Sequence, residues 1–184
     1  MKGVVEKGRP TDTAGRGERE MAAYDLLDSL GISYTRVDHD PAATMEDCLA
    51  VEALLGTAIC KNLFLTNRQH TAYYLLLMPG DKPFKTKELS REIDTARLSF
   101  ATPEEMEEML GTHPGSATVL GLMHDRDRAV QLLIDRDILA SDSIGVHPLV
   151  NTASVALSVS DIIGRLLPAL GHTYTAVTLH GQDA

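Results

Sequence analysis

The apolar residues of this chain occur in short runs, and the longest, residues 72–78, has only seven residues. A run of that length fits a buried β-strand, whereas a membrane-spanning helix needs roughly 20 apolar residues. The runs alternate with segments of helical periodicity that end at a glycine, as at Gly31, Gly56 and Gly111. We therefore predict an α/β fold in which helices are interspersed with the strands of a mixed, largely antiparallel sheet.

The spacing of apolar residues also predicts where each element lies. Helices are expected over residues 18–30, 45–55, 84–93, 103–110 and 161–170, and strands over 32–37, 59–65, 71–78, 98–100, 130–135, 143–146, 153–159 and 174–179. Residues 102–105 (Thr-Pro-Glu-Glu) are the clearest helix start, with Thr as N-cap, Pro at the first position and Glu at the third. Ser160 is expected to cap the last helix.

The length of 184 residues suits one domain. Residues 1–17 are rich in Gly, Thr and charge, so we predict a flexible N-terminal tail there and a domain over residues 18–180. The N-terminus lacks the apolar core of a signal peptide, and Cys48 and Cys60 form no CxxC pattern. These features predict a cytoplasmic protein with reduced thiols and no membrane association.

The formal net charge of −9 limits which partners the chain can bind. Nucleic-acid binders usually carry a broad basic surface that displaces counterions, so this chain is not a general polyanion binder. A protein that touches only the end of a nucleic acid needs just a local basic rim. Five basic residues are candidates for such a rim, although acidic neighbours make an ordinary solvated helix a close alternative: Lys82, Lys85, Lys87, Arg91 and Arg97.

Familiar catalytic signatures are missing from the sequence. It contains no GxSxG, HExxH, GxxxxGK or helix-opening GxGxxG motif. The seven histidines have no paired ligand spacing, so we predict neither a metal nor a cofactor. Any hydrolysis would then depend on positioning and polarisation.

Three segments nevertheless carry residues suited to chemistry. Lys61 and Asn62 are polar residues in an otherwise apolar strand, where a lysine needs a partner or a ligand unless it lies on the solvent face of an edge strand. Residues 115–118 (Gly-Ser-Ala-Thr) form a small-residue loop whose amides could cradle an oxyanion, or simply a turn. His147 precedes a proline at a strand end, where Asn151 could orient its ring; a structural role is the alternative.

Together these segments resemble the YbaK/aminoacyl-tRNA synthetase-associated editing domain family, in its free-standing prolyl-tRNA editing branch. The resemblance covers about residues 23–179. It rests on the order and spacing of several motifs: residues 34–39 with Pro41, 61–65, 97–101, 111–116, 121–122 and 147–155. It implies a barrel-like sheet surrounded by helices.

The resemblance also implies the activity and the residues that carry it. Family members deacylate mischarged tRNA after it leaves the synthetase, with no metal and no covalent intermediate. The matching positions make Lys61, Gly115 and Ser116 the catalytic candidates. The substrate-binding candidates are Asn62, Ala117, Thr118, His147 and Asn151. Val119 departs from the family pattern, which commonly has proline there, and this affects the expected loop geometry.

We therefore predict a trans-editing deacylase that hydrolyses alanine mischarged onto proline tRNA. The alternatives are a deacylase for serine, cysteine or threonine, a non-catalytic module that binds tRNA or a synthetase, and a hydrolase of small esters. The acceptor end of aminoacylated tRNA is the expected partner, prolyl-tRNA synthetase is a second candidate, and both monomer and homodimer remain open.

Overall fold

The computed structural model describes residues 3–42 and 45–182. Nine strands lie in this part of the chain: β1 (Val5–Lys7), β2 (Thr35–Asp38), β3 (Cys60–Asn67), β4 (Tyr73–Pro79), β5 (Leu98–Phe100), β6 (Val130–Asp135), β7 (Ser143–Val146), β8 (Ala153–Ser158) and β9 (Tyr174–Val177). The helices are α1 (Glu18–Ser29), α2 (Met45–Leu55), α3 (Thr86–Glu92), α4 (Pro103–Leu110), a 3₁₀ helix (Val119–Met123), α5 (Arg136–Leu139) and α6 (159–170). The α/β class is confirmed.

The strands form two sheets, not a closed barrel. A four-stranded sheet has the order β1-β2-β8-β7 and is antiparallel throughout. A five-stranded sheet has the order β5-β3-β4-β6-β9, in which β6 runs parallel to both β4 and β9. The predicted mixed and largely antiparallel pairing is therefore present, divided between two sheets that meet at a bridge between Ile59 and Gly145.

The main apolar core lies on one face of the five-stranded sheet. Phe64 of β3 and Leu75 of β4 project into it, together with Val155 of β8 from the other sheet. The opposite face of the five-stranded sheet is covered by α3, whose Leu89 is fully buried there. Helix α2 covers the outer face of the four-stranded sheet, where Val51 packs near Val37. The order of layers is thus helix, sheet, core, sheet, helix.

The N-terminal segment differs from the predicted tail. β1 pairs antiparallel with β2, and Arg36 of β2, only 1% exposed, forms ion pairs with Glu6 and Asp38. Arg16 also binds Asp38, at 2.7 Å. Three residues are too few to show an alternation of apolar and polar side chains. Only the pairing with β2 therefore defines β1 as a strand. The domain limits of residues 18 and 180 stay a prediction.

Helix boundaries follow the sequence wherever a local cap sets them. At the start of α4, Thr102 Oγ1 accepts from the Glu105 amide, and Glu105 accepts in return from the Thr102 amide, so the predicted capping box is confirmed. The predicted cap of α6 was wrong by two residues, because Ser158 and not Ser160 accepts the Asp161 amide. Within residues 3–42 and 45–182, no helix is both long and apolar enough to cross a membrane.

Glu105 gives the fold a pH dependence that can be measured. Burial raises the pKa of this carboxyl, but donors outweigh it and lower the pKa to about 2: the Thr102 amide at 2.8 Å, Tyr73 Oη at 2.7 Å and His70 Nδ1 at 2.6 Å. A lowered pKa stabilises the fold above the ordinary value of 4.5, and that stability is lost as pH falls towards 2.

We therefore expect Glu105→Gln to lower the free energy of unfolding at pH 7, measured by urea denaturation. The difference from the wild type should shrink between pH 4.5 and pH 2. Glu104→Gln, in the same helical turn but exposed, is the matched control and should change little. A Glu105→Gln effect that is equal at both pH values would contradict this account.

Candidate functional site

Lys61 and Asn62 point to opposite faces of the five-stranded sheet. Both lie in β3, and consecutive residues of a strand alternate between faces. Asn62 shares the main-core face with its neighbour Cys60, whose sulfur lies 3.2 Å from Asn62 Nδ2. Lys61 shares the other face with Leu65, on the side covered by α3. The two residues therefore approach any common ligand from different sides of the strand.

The ammonium of Lys61 is hydrogen-bonded to a backbone carbonyl group. Lys61 Nζ donates to the carbonyl oxygen of Lys82 at 2.6 Å, and the side chain is half-buried. An ammonium has three donors, so this bond leaves two for a ligand. Near the start of β3, Lys61 forms no ion pair with an acidic side chain of the described residues.

Lys82 is itself anchored by three acceptors, of which the Asp135 carboxylate is buried. Its Nζ lies 2.6 Å from Asp135, 2.7 Å from Asp137 and 2.8 Å from the carbonyl oxygen of Leu179. Burial lowers the pKa of Lys82, but hydrogen bonds to the two carboxylates outweigh it, so the pKa is raised. This cluster fixes the backbone segment whose carbonyl binds Lys61.

Asn62 has an acceptor that no described protein group uses. Its Oδ1 is buried and lacks a hydrogen-bond partner within the described residues, whereas its Nδ2 contacts Cys60. A buried carbonyl oxygen without a donor costs free energy, typically about 1–3 kcal/mol. A ligand that brings a donor, such as the ammonium of an aminoacyl group, would remove that cost.

The glycine loop has a left-handed backbone at Gly115, where φ is +90°. The Ser116 amide donates to the His113 carbonyl at 3.0 Å, and Ser116 Oγ bonds within the loop to Thr112 and His113. The Ser116 amide, for which an oxyanion role was predicted, is therefore engaged within the loop. The amides of Gly115, Ala117 and Thr118 have no acceptor in the described part of the chain.

Val119 occupies a position that explains the departure from the family pattern. It is the first residue of the 3₁₀ helix, after Thr118, whose Oγ1 accepts from the Leu120 amide as an N-cap. The first residue of a helix needs no hydrogen-bonded amide, which is why proline is tolerated there. Valine and proline are therefore both compatible with this site, and Val119 is fully buried in the core.

His147 lies beside a second histidine that the sequence analysis left without a role. His147 Nδ1 lies 2.9 Å from the carbonyl oxygen of Ala153, so this nitrogen carries the proton and Nε2 presents a lone pair. His39 Nε2 lies 2.8 Å from Ser154 Oγ, which is 3.5 Å from His147 Nδ1. The rings of His39 and His147 are 6.1 Å apart.

Burial is the main cause of the lowered pKa of His147. The neighbouring His39 lowers it further, while the bond to the Ala153 carbonyl opposes both. With a pKa below the ordinary value of 6.5, the imidazole is neutral at pH 7. His147 is thus an acceptor, and not a cation, under ordinary conditions.

The turn after His147 lies near the glycine loop. A Cβ added at Gly115 would lie 3.9 Å from Asn151 Nδ2, so glycine is required there by φ and not by space. The same turn holds Leu149 at a φ of +63°, a strained value for a buried leucine. Backbone strain of this kind is found where surrounding structure fixes a functional turn.

The structure thus brings the predicted residues into two groups. The loop 115–118 lies near the turn with His147 and Asn151, and Asn62 faces the same core. Lys61 belongs to the other face. His39 and Ser154 are the residues that the sequence analysis missed, because they are 115 positions apart and only folding brings them together. Within the described ranges, no group of three His, Cys, Asp or Glu side chains could hold a metal ion.

Comparison with known proteins identifies the family of this arrangement. The model of the "aminoacyl-tRNA editing domain" family matches residues 39–164, which include both groups. The chain belongs to this family. It is 30% identical over 162 residues to the prolyl-tRNA editing protein ProX of Acetoanaerobium sticklandii, covering 88% of this chain and 98% of that protein. It is 28% identical to the prolyl-tRNA synthetase associated domain-containing protein 1 of Danio rerio, covering 81% of each.

Two solved structures share the fold. A protein described as a candidate trans-editing enzyme for prolyl tRNA synthetase superposes with a TM-score of 0.65 at 18% identity, covering 89% of this chain and 98% of that one. The hypothetical protein APE2540 gives 0.64 at 18% identity, with coverages of 86% and 98%. At this identity the likeness concerns the fold alone.

Proposed function

We propose that the chain hydrolyses the ester of alanine mischarged onto proline tRNA, in trans to the synthetase. As a member of the aminoacyl-tRNA editing domain family, the chain is an aminoacyl-tRNA deacylase, a hydrolase of ester bonds. The observation that best supports the finer proposal is the proximity of the glycine loop, with its unused amides, to the turn that presents a neutral His147. The similarity to ProX, a prolyl-tRNA editing protein, supports the choice of tRNA.

The amides of the glycine loop stabilise the negative charge that develops on the ester carbonyl oxygen. Gly115 and Ala117 supply donors that the loop itself does not use. One well-placed donor of this kind is typically worth about 3 kcal/mol in the transition state. The bonds of Ser116 inside the loop hold these amides in place, so Ser116 acts as a positioning residue in this mechanism.

Lys61 contributes charge from the other side of β3. One of its three donors is taken by the Lys82 carbonyl, and the remaining two contact the terminal phosphate or the ribose end of the tRNA. The positive charge favours the anionic transition state over the neutral ester. Asn62 Oδ1, which lacks a donor, accepts from the α-ammonium of the alanine.

His147 acts on the attacking water. The vicinal hydroxyl of the terminal ribose orients the water, and His147 Nε2 accepts its proton as oxygen bonds to the carbonyl carbon. The C–O bond to the ribose then breaks, and the ribose oxygen takes up a proton to leave as a hydroxyl. The Ala153 carbonyl keeps the imidazole in the required tautomer, and Ser154 and His39 lie beside it.

The lowered pKa of His147 predicts a specific pH profile. Since a general base works only when unprotonated, we expect the deacylation rate to be constant near pH 7 and to fall with a midpoint below pH 6.5. His147→Gln should lower the pH 7 rate by about 100-fold and remove the fall at acidic pH. Single-turnover rates from pH 5 to 8 measure both, and a variant that keeps the acidic fall would exclude His147 as the base.

A panel of charged tRNAs tests the choice of amino acid. Proline tRNA is charged in separate reactions with alanine, serine, cysteine and threonine, and each ester is incubated with the purified protein. We expect alanine to be released fastest, because a small apolar side chain satisfies a pocket that has no need of a hydroxyl or thiol partner. Faster release of any other residue would replace alanine in the proposal, and no release at all would favour a non-catalytic tRNA-binding module.

A further inference from the structure

The charged residues of α3 and the segment after it are divided between two sides. Glu88 accepts from the amides of His180 and Gly181, at 2.6 and 3.0 Å, and Glu92 accepts from the amide of Thr178 at 2.8 Å. These carboxylates are therefore turned towards the C-terminal segment. Acidic and basic residues alternate along the sequence of α3, but in the structure these two carboxylates lie together on one side of the helix.

A basic cleft lies on the other side of α3. Its volume is about 600 Å³, and its charged lining residues are Lys87, Arg91, Arg97 and Asp94. Arg91 and Arg97 face a single carboxylate, that of Asp94, and these arginines make the cleft positive on a chain whose net charge is −9. Such a local reversal of sign attracts an anionic partner to this one place.

An aromatic pair with one exposed ring lies between this cleft and Lys61. Phe84 and Phe100 meet edge to face, with centroids 6.0 Å apart, and Phe100 is 60% exposed. Phe100 of β5 pairs with Leu65 of β3, and Leu65 is on the same face of β3 as Lys61. Leu65 is four residues along the strand from Lys61, a distance of about 13 Å. Phe84 is two positions from Lys82, whose carbonyl holds the Lys61 ammonium.

We propose that this surface binds the unpaired 3′ end of the tRNA, with a base stacked on Phe100 and phosphates against Arg91 and Arg97. Proteins bind single-stranded nucleic acid by combining aromatic faces for bases with cations for phosphates, and both are present here. The inference rests on the proposed function, because it leads the strand from the cleft past Phe100 to Lys61, which is proposed to contact the terminal phosphate or ribose. A protein partner would not require the positive cleft, and a lipid surface would not require a single exposed aromatic ring.

The test measures binding without hydrolysis, so it is independent of the proposed reaction. Fluorescence anisotropy gives the Kd of uncharged proline tRNA and of the same tRNA trimmed of its unpaired 3′ nucleotides. We expect Phe100→Ala to weaken binding of the intact tRNA about 10-fold and to leave the trimmed tRNA unchanged. Tyr174→Ala, which removes another exposed aromatic ring at the far edge of the same sheet, is the matched control and should change neither.

A second variant tests the basic part of the surface. Arg91→Gln should weaken binding of intact tRNA and reduce the slope of log Kd against log salt by about one unit, because one phosphate contact is lost. An unchanged Kd for intact tRNA with Phe100→Ala, or an equal loss on both tRNAs, would overturn the proposal. If wild-type protein bound intact tRNA in the predicted way but released no amino acid, only the proposed function would fail.

Discussion

Replacement of Lys61 by alanine is expected to reduce the deacylation rate by at least about 100-fold, the effect of losing one charged donor in the transition state. The ammonium is bound to a single carbonyl oxygen, that of Lys82, so its removal leaves no buried charge unpaired. Folding should therefore be unaffected. Single-turnover hydrolysis of alanine-charged proline tRNA measures the rate, and urea denaturation measures the stability.

Lys61→Arg separates charge from shape. A guanidinium keeps the positive charge but cannot reproduce the compact ammonium that reaches the Lys82 carbonyl, so we expect partial activity, between that of the wild type and Lys61→Ala. The account would fail if Lys61→Ala were as active as the wild type. An unfolded Lys61→Ala protein would instead mean that Lys61 has a structural role.

Replacement of Lys82 by methionine is expected to destabilise the fold by about 3 kcal/mol, because it leaves a buried carboxylate without its partner. Asp135 is only 1% exposed and lies 2.6 Å from Lys82 Nζ. The segment that carries the acceptor for Lys61 would also lose its bond to the Leu179 carbonyl. Urea denaturation at pH 7 measures the loss.

The double variant, in which Asp135→Asn is combined with Lys82→Met, provides the control. The asparagine side chain carries no charge, so no unpaired carboxylate remains. Its Oδ1 can still accept from the Asp137 backbone amide, as Asp135 does at 3.0 Å when it caps α5. The double variant should therefore be more stable than Lys82→Met alone. If the two were equally unstable, the cost of Lys82→Met would come from lost packing and not from the buried charge.

Local signals in the sequence were sufficient for most elements. The limits of α2 were predicted because Gly56 ends an apolar pattern of helical period, and α4 was predicted because its capping box is contained in four residues. β1 was not predictable, since only its pairing with β2 and the ion pair between Glu6 and Arg36 make it a strand. Such partners are known only after folding.

The candidate site was predictable in its members but less so in its arrangement. Lys61 was expected to be catalytic and Asn62 to bind substrate, and the two-residue period of a strand places them on opposite faces. The free amides could not be assigned from sequence, because the turn bond from Ser116 to His113 decides which of them is used. The link from His39 through Ser154 to His147 joins distant strands and has no local signal.

The most direct test of the central claim compares two esters on one tRNA. Wild-type protein is incubated in parallel with alanine-charged and proline-charged proline tRNA, and the first-order loss of each amino acid is followed against a protein-free control. We predict release of alanine that is about 100-fold faster than release of proline, since a small pocket excludes the larger ring. Equal rates for the two esters, or no release of alanine above the control, would contradict the assignment of this chain as an editing enzyme for alanine on proline tRNA.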